Sequence, residues 1–177
     1  MAPLLFEDKI PANREAFAVK VRTVAQALGV DPNWLMGTMY FESKLNAAIV
    51  NRTSGATGLI QFMPSTARNL GTTTAALATM SNVAQLDYVA KYFKPATGKL
   101  KTWFDLYLWV FFPLAIGQPD SYVLQAKYIP AATIAKQNPV FDLNKDLQLT
   151  KAEVRAGYLK ALPPAYQAYL TTQKKSV

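Results

Sequence analysis

The chain has 177 residues, 51% of them hydrophobic and 17% charged, which suits one ordinary domain with a buried core and excludes global disorder. It holds no cysteine and no histidine, which excludes disulfides, thiol or imidazole nucleophiles and ordinary zinc sites. The net charge of +8 suits an anionic partner such as a wall polymer, nucleic acid or anionic lipid, but no RNA-binding motif and no basic–aromatic interleaving points to nucleic acid.

In chain order, residues 1–8 lack the basic start, long apolar run and small-residue cleavage site of a secretory signal. Residues 13–28 carry Phe17, Val21, Val24 and Leu28 on one helical face, with Gly29 as the stop. Asp31 is a good N-cap and Pro32 suits the first position of a second helix. Along that helix Leu35, Met39 and Glu42 share a stripe, widened by Met36, Tyr40 and Phe41. A carboxylate on such a stripe either loses hydration, which raises its pKa and makes it a proton donor, or pairs at the helix end with Lys44 or Arg52.

Residues 51–58 are rich in turn formers, and Gly55 and Gly58 let backbone approach a ligand closely. The strip Gly58-Leu59-Ile60-Gln61 follows, then Pro64 opens a helix that ends at Gly71. Ser81 caps a helix bearing Val83, Leu86, Val89, Ala90 and Phe93, which stops before Pro95. Residues 96–101 form a basic loop. The most apolar stretch, 103–116, contains Asp105 and Pro113 and falls short of the ~20 residues that span a bilayer, so it is expected to be a buried helix. Shorter helical pieces are expected at 122–128 and 131–136, separated by Pro130, and Pro163 opens a last helix through Leu170 before a frayed tail at 174–177. No internal repeat or low-complexity tract appears.

Glu42-Ser43, the small polar loop, Gly58-Leu59-Ile60-Gln61 and Pro64-Ser65-Thr66-Ala67 together resemble the lytic transglycosylase family of the soluble lytic transglycosylases and goose-type lysozyme. The resemblance covers roughly residues 30 to 110. It implies a mainly α, lysozyme-like helical domain with a small irregular or β loop region, here followed by a helical C-terminal extension from 130 to 177 within one domain. It also implies roles. Glu42 is the acid/base, and Ser43 orients it or contacts sugar. Gln61 and the backbone near Ile60 and Phe62 line a glycan groove. The family's later Tyr-Asn motif is best matched by Tyr107, although Leu108 stands where Asn is usual; a core aromatic on a very apolar helix is the alternative.

An ordinary glycosidase uses two carboxyl groups. No second acidic residue lies near Glu42 in sequence, and Asp87, Asp105 and Asp120 could approach only through folding. The resemblance implies a one-carboxylate route. Glu42 protonates the glycosidic oxygen after N-acetylmuramic acid, then accepts the proton of the muramoyl C6 hydroxyl as a 1,6-anhydro ring closes. Hydrolysis by a muramidase of the same fold stays open. A wall-cutting enzyme without an export signal suggests a phage endolysin, a virion-associated protein or a bacterial protein exported by other machinery, with phage origin preferred; it is expected to meet peptidoglycan in the periplasm as a monomer, with no cofactor needed for chemistry.

The extension carries a second motif. Asp142, Asn144, Asp146, Gln148, Thr150 and Glu153 occupy positions 1, 3, 5, 7, 9 and 12 of an EF-hand-like loop, with Gln148 offering its backbone carbonyl. Leu147 replaces the glycine expected at position 6, and Pro139 interrupts the incoming segment. A structural calcium ion is one expectation; a plain helix cap built from Thr150 and Glu153 is the other. Two further function classes stay open: a non-catalytic calcium-binding virion protein, and a basic membrane-active protein.

Overall fold

The computed structural model describes residues 2–172; the expected frayed tail at 174–177 lies outside them. Local signals set the first two helices. α1 (Arg14–Leu28) ends where Gly29, at φ 69°, donates its N–H to the Ala25 and Gln26 carbonyls. α2 (Pro32–Ser43) starts at Asp31, whose side chain accepts the Asn33 N–H at 2.8 Å, with Pro32 in the first turn. Both starts, and the stop of α1 at Gly29, agree with the sequence reading. α3 (Pro64–Asn69), α4 (Thr74–Thr79) and α5 (Asn82–Phe93) follow. The unforeseen α4 is too short to show periodicity; Thr73 caps it through the Ala76 N–H at 3.0 Å.

The backbone groups into two compact units, Met1–Leu106 and Tyr107–Val177. In the first, α1 packs against α2 and α5. Phe17, Val21, Leu35, Met36, Met39, Leu86 and Val89 are fully buried and form its core. Asn82 ties the starts of α1 and α5 together, donating to the Ala12 carbonyl at 2.6 Å and accepting from the Asn13 amide at 3.1 Å. Between α2 and α3 the chain makes the expected irregular β region. Thr57 and Phe62 exchange backbone hydrogen bonds of 3.0 and 2.8 Å, and Val50 bridges Thr57 on the other side.

α6 (Trp103–Phe111) spans the boundary between the units. It ends five residues before the expected 116, because Pro113 cannot continue it, and a 3-10 turn Pro113–Ala115 takes over. The second unit thus begins at Tyr107, upstream of the extension expected from 130. It holds α7 (Ala131–Gln137), α8 (Lys151–Lys160) and α9 (Pro164–Thr172). Residues 122–128, expected to be helical, are not. Val123 bridges Thr150 and Ala126 bridges Ile129, while the Leu124 N–H reaches the Leu149 carbonyl at 2.8 Å. Long-range pairing there outweighs a weak helical pattern that had no cap and ran into Pro130.

Gly58 is the tightest point of the first unit. Its φ is +82°, and a Cβ there would strike the buried Gln85 amide. Gly58→Ala is expected to cost about 2–4 kcal/mol, combining a left-handed backbone with an overpacked core. Chemical denaturation of the variant checks it; a midpoint equal to wild type would contradict the packing.

Candidate active site

Glu42 lies in the last turn of α2 and is half-buried. Its neighbour Ser43 is 2% exposed, and the Ser43 hydroxyl is shared between the Met39 carbonyl at 2.9 Å and the Leu59 carbonyl at 3.0 Å. The Leu59 peptide is gripped on its other side too, where its N–H donates to Gln85 Oε1 at 2.5 Å. Gln85 is fully buried, and its Nε2 donates to the Ala47 and Leu77 carbonyls at 3.0 and 2.9 Å. One amide thus joins the Gly58–Phe62 strip, the segment after α2, and α4. Three hydrogen bonds inside the core offset the desolvation of the side chain.

Burial pushes the Glu42 carboxyl up to about 7, with the Lys44 ammonium pulling weakly the other way. Lys44 does not pair with it; its Nζ sits 4.5 Å over the Tyr40 ring. Arg52 is exposed, and no ion pair reaches Glu42 among the described residues, so the helix-end pairing read from sequence does not form. One turn earlier, Thr38 is 1% exposed with a hydroxyl that finds no partner. The Tyr92 phenol is pushed up to about 12, by burial first and then by the Glu42 carboxylate. Its ring meets Phe62 edge-on, at 6.1 Å and 86°. The surroundings of Glu42 are therefore dry, weakly polar and able to keep the carboxyl protonated near neutrality.

The other site residues divide. Gln61 is half-buried, holds a left-handed φ of 51°, and donates from its side chain to the Gly58 carbonyl at 3.1 Å. Ile60 and Phe62 are each 2% exposed, so neither residue offers a ligand more than a trace of surface. Ser43 faces inward and braces the strip. Tyr107 lies in the second unit, 1% exposed, stacked on Phe111 at 5.7 Å and beside Tyr158 at 4.0 Å. The candidate second carboxylates are engaged elsewhere: Asp87 with Lys20 at 2.7 Å, Asp105 with the Thr102 backbone at 2.9 Å, and Asp120 with Arg155 at 2.7 Å. Gln85 and Tyr92 were missed. Both lie seven residues apart on α5, and a glutamine inside an otherwise apolar stripe was the available signal.

The transglycosylase SLT domain matches residues 20–108, just over half of the chain. The chain belongs to the transglycosylase SLT family. No curated protein and no solved structure matches it. The SLT assignment makes this a peptidoglycan-acting transglycosylase domain with a mainly helical, lysozyme-like fold. The matched span contains Glu42, Ser43, Gln61, Tyr92 and Tyr107, and leaves the loop at 142–153 outside. No helix among the described residues is long and apolar enough to cross a membrane.

In that loop Thr150 and Glu153 form the capping box of α8, with Glu153 Oε2 accepting the Thr150 N–H at 2.9 Å and its hydroxyl at 2.7 Å. Asp142 Oδ2 accepts the Leu147 N–H at 3.2 Å, and Asp146 Oδ1 accepts that of Gln148 at 2.8 Å. Asn144 Oδ1 takes the Asp146 N–H at 3.0 Å. Among the described residues no three His, Cys, Asp or Glu side chains already surround a metal-sized point.

The raised Glu42 value makes stability depend on pH. The folded carboxyl holds its proton to about 7 and the unfolded one only to 4.5, so stability falls as pH rises through that window. Glu42→Gln removes the cost, up to about 3 kcal/mol. The melting temperature of the variant relative to wild type is expected to be higher at pH 8 than at pH 4.5; an equal difference at both would contradict the burial.

Proposed function

We propose that the SLT domain cleaves the β-1,4 bond between N-acetylmuramic acid and N-acetylglucosamine with Glu42 as the single acid/base. The observation that supports it best is Glu42 itself, a half-buried carboxyl raised to about 7 beside the Leu59 clamp, with Asp87, Asp105 and Asp120 all engaged by other partners. Protonated Glu42 gives its proton to the glycosidic oxygen as that bond breaks. The sugar cation left behind is stabilised by the substrate's own acetamido group. Ionised Glu42 then takes the proton of the muramoyl C6 hydroxyl while that oxygen bonds to C1, which closes the 1,6-anhydro ring and restores the acid.

Half-buried Gln61 is the member of the strip that meets the glycan, and the buried Ile60 and Phe62 hold it in place. Tyr92 is the phenol that senses the Glu42 charge, and its hydroxyl steadies the carboxylate after proton transfer. Tyr107, the family-implied position, acts through packing of the aromatic cluster it belongs to.

Incubation with purified sacculi tests this. Glu42→Gln is expected to lower muropeptide release by roughly a hundred- to ten-thousand-fold, the range of one general acid. Wild-type kcat/KM is expected to fall about tenfold per pH unit above about 7, since the protonated form does the work. Mass spectrometry of the products is expected to give 1,6-anhydro ends; reducing ends would make the enzyme a muramidase, and full activity in Glu42→Gln would remove Glu42 from the chemistry. Tyr92→Phe is expected to cost roughly ten- to a hundred-fold in kcat with little change in KM, and Tyr107→Phe to leave kcat near wild type.

A further inference from the structure

We propose that the loop Asp142–Glu153 of the second unit binds one calcium ion through oxygen ligands, independently of the glycan site. The sequence spacing places oxygen-bearing residues at every ligand position of a 12-residue loop. A helix cap alone explains Thr150 and Glu153, and the structure does contain that cap. It leaves two atoms unexplained. Glu153 Oε1 and Asp142 Oδ1 are both buried and both lack any hydrogen-bond partner. The cap uses only Glu153 Oε2, and the Leu147 N–H uses only Asp142 Oδ2. An orphaned buried carboxylate oxygen is costly, and here the two belong to the first and twelfth residues of the loop, its two ends. A hard cation would satisfy both at once.

The surroundings suit such an ion. Leu147 has φ 62°, the left-handed geometry that position 6 of the loop demands, although it carries a side chain that disfavours it. The two ends of the loop are held together. Phe141 packs so closely on Gly157 of α8 that a Cβ there would lie 2.6 Å from its ring. Asp142, Asp146 and Glu153 supply three negative charges, while the neighbouring Lys151 ammonium is directed away, to the Gln118 carbonyl at 2.8 Å. An all-oxygen set without histidine or cysteine favours calcium over zinc, and an irregular set of side-chain and backbone oxygens suits it better than the strict octahedron of magnesium. The three carboxylates do not yet surround one point, so binding includes a closing of the loop. That closing and the leucine at position 6 place the affinity at the weak end of such loops, with Kd on the order of 10⁻⁴–10⁻³ M.

Calorimetric titration of the full chain with calcium chloride is expected to show one saturable site, with magnesium giving a much weaker response. Melting temperature is expected to rise by roughly 3–6 °C between chelator and about 10 mM calcium. Glu153→Gln retains the capping box, because its amide oxygen accepts the same hydrogen bonds, yet removes the charged bidentate ligand. Both Glu153→Gln and Asp142→Asn are expected to lose the calcium-dependent rise. Absence of saturable heat in the wild type at about 10 mM calcium would overturn the site. So would an undiminished rise in both variants, which would show that calcium acts elsewhere.

Discussion

The first unit depends on the grip that two side chains keep on one peptide. Ser43 Oγ holds the carbonyl of Leu59 and Gln85 Oε1 holds its N–H. The Gly58–Phe62 strip cannot slide along α2 without breaking a buried hydrogen bond, at a cost of about 1–3 kcal/mol for each group left unpaired. Because Ser43 directly follows Glu42, the same contact that seats the strip also fixes the end of the helix that carries the acid. Gly58 has no side chain because the Gln85 amide occupies that space.

The proposed chemistry rests on that arrangement. Packing the strip and α5 around the end of α2 removes water from Glu42, and burial is what raises its carboxyl to about 7. A nearby cation would undo this, and Lys44 is instead parked over the Tyr40 ring. A nearby second carboxylate would split the two titrations, and the acidic residues that could have served are bound to Lys20, the Thr102 backbone and Arg155. Glu42 is left as a carboxyl without an ionic partner among the described residues, which is what the proposed single acid/base route requires.

Much of this was legible in the sequence, and for local reasons. Asp31-Pro32, Gly29, Ser81 and Thr150 each announce a helix boundary through a hydrogen bond made within a few residues, and all four behave as read. Glu42 stood out because the carboxylate on the stripe of Leu35 and Met39 is followed by Ser43, the small polar loop and the Gly58–Gln61 strip. What escaped was decided over long distances. Gln85 reaches Leu59 across 26 residues and Ala47 across 38, and no local pattern encodes those partners. The failed helix at 122–128 has the same origin, since Val123 pairs with Thr150. The nearness of Tyr92 to Glu42 was not legible either, because a motif register is visible in sequence whereas the electrostatic neighbour of a buried acid is not.

The central claim is that Glu42 stays protonated near neutral pH because the fold dries its surroundings. Carbon-13 NMR of the side-chain carboxyls, followed across pH with Glu42→Gln assigning the resonance, measures it directly. A midpoint near 7 is the expected result. A midpoint near the ordinary 4.5 would contradict the account, since an exposed and ionised Glu42 could not deliver the first proton.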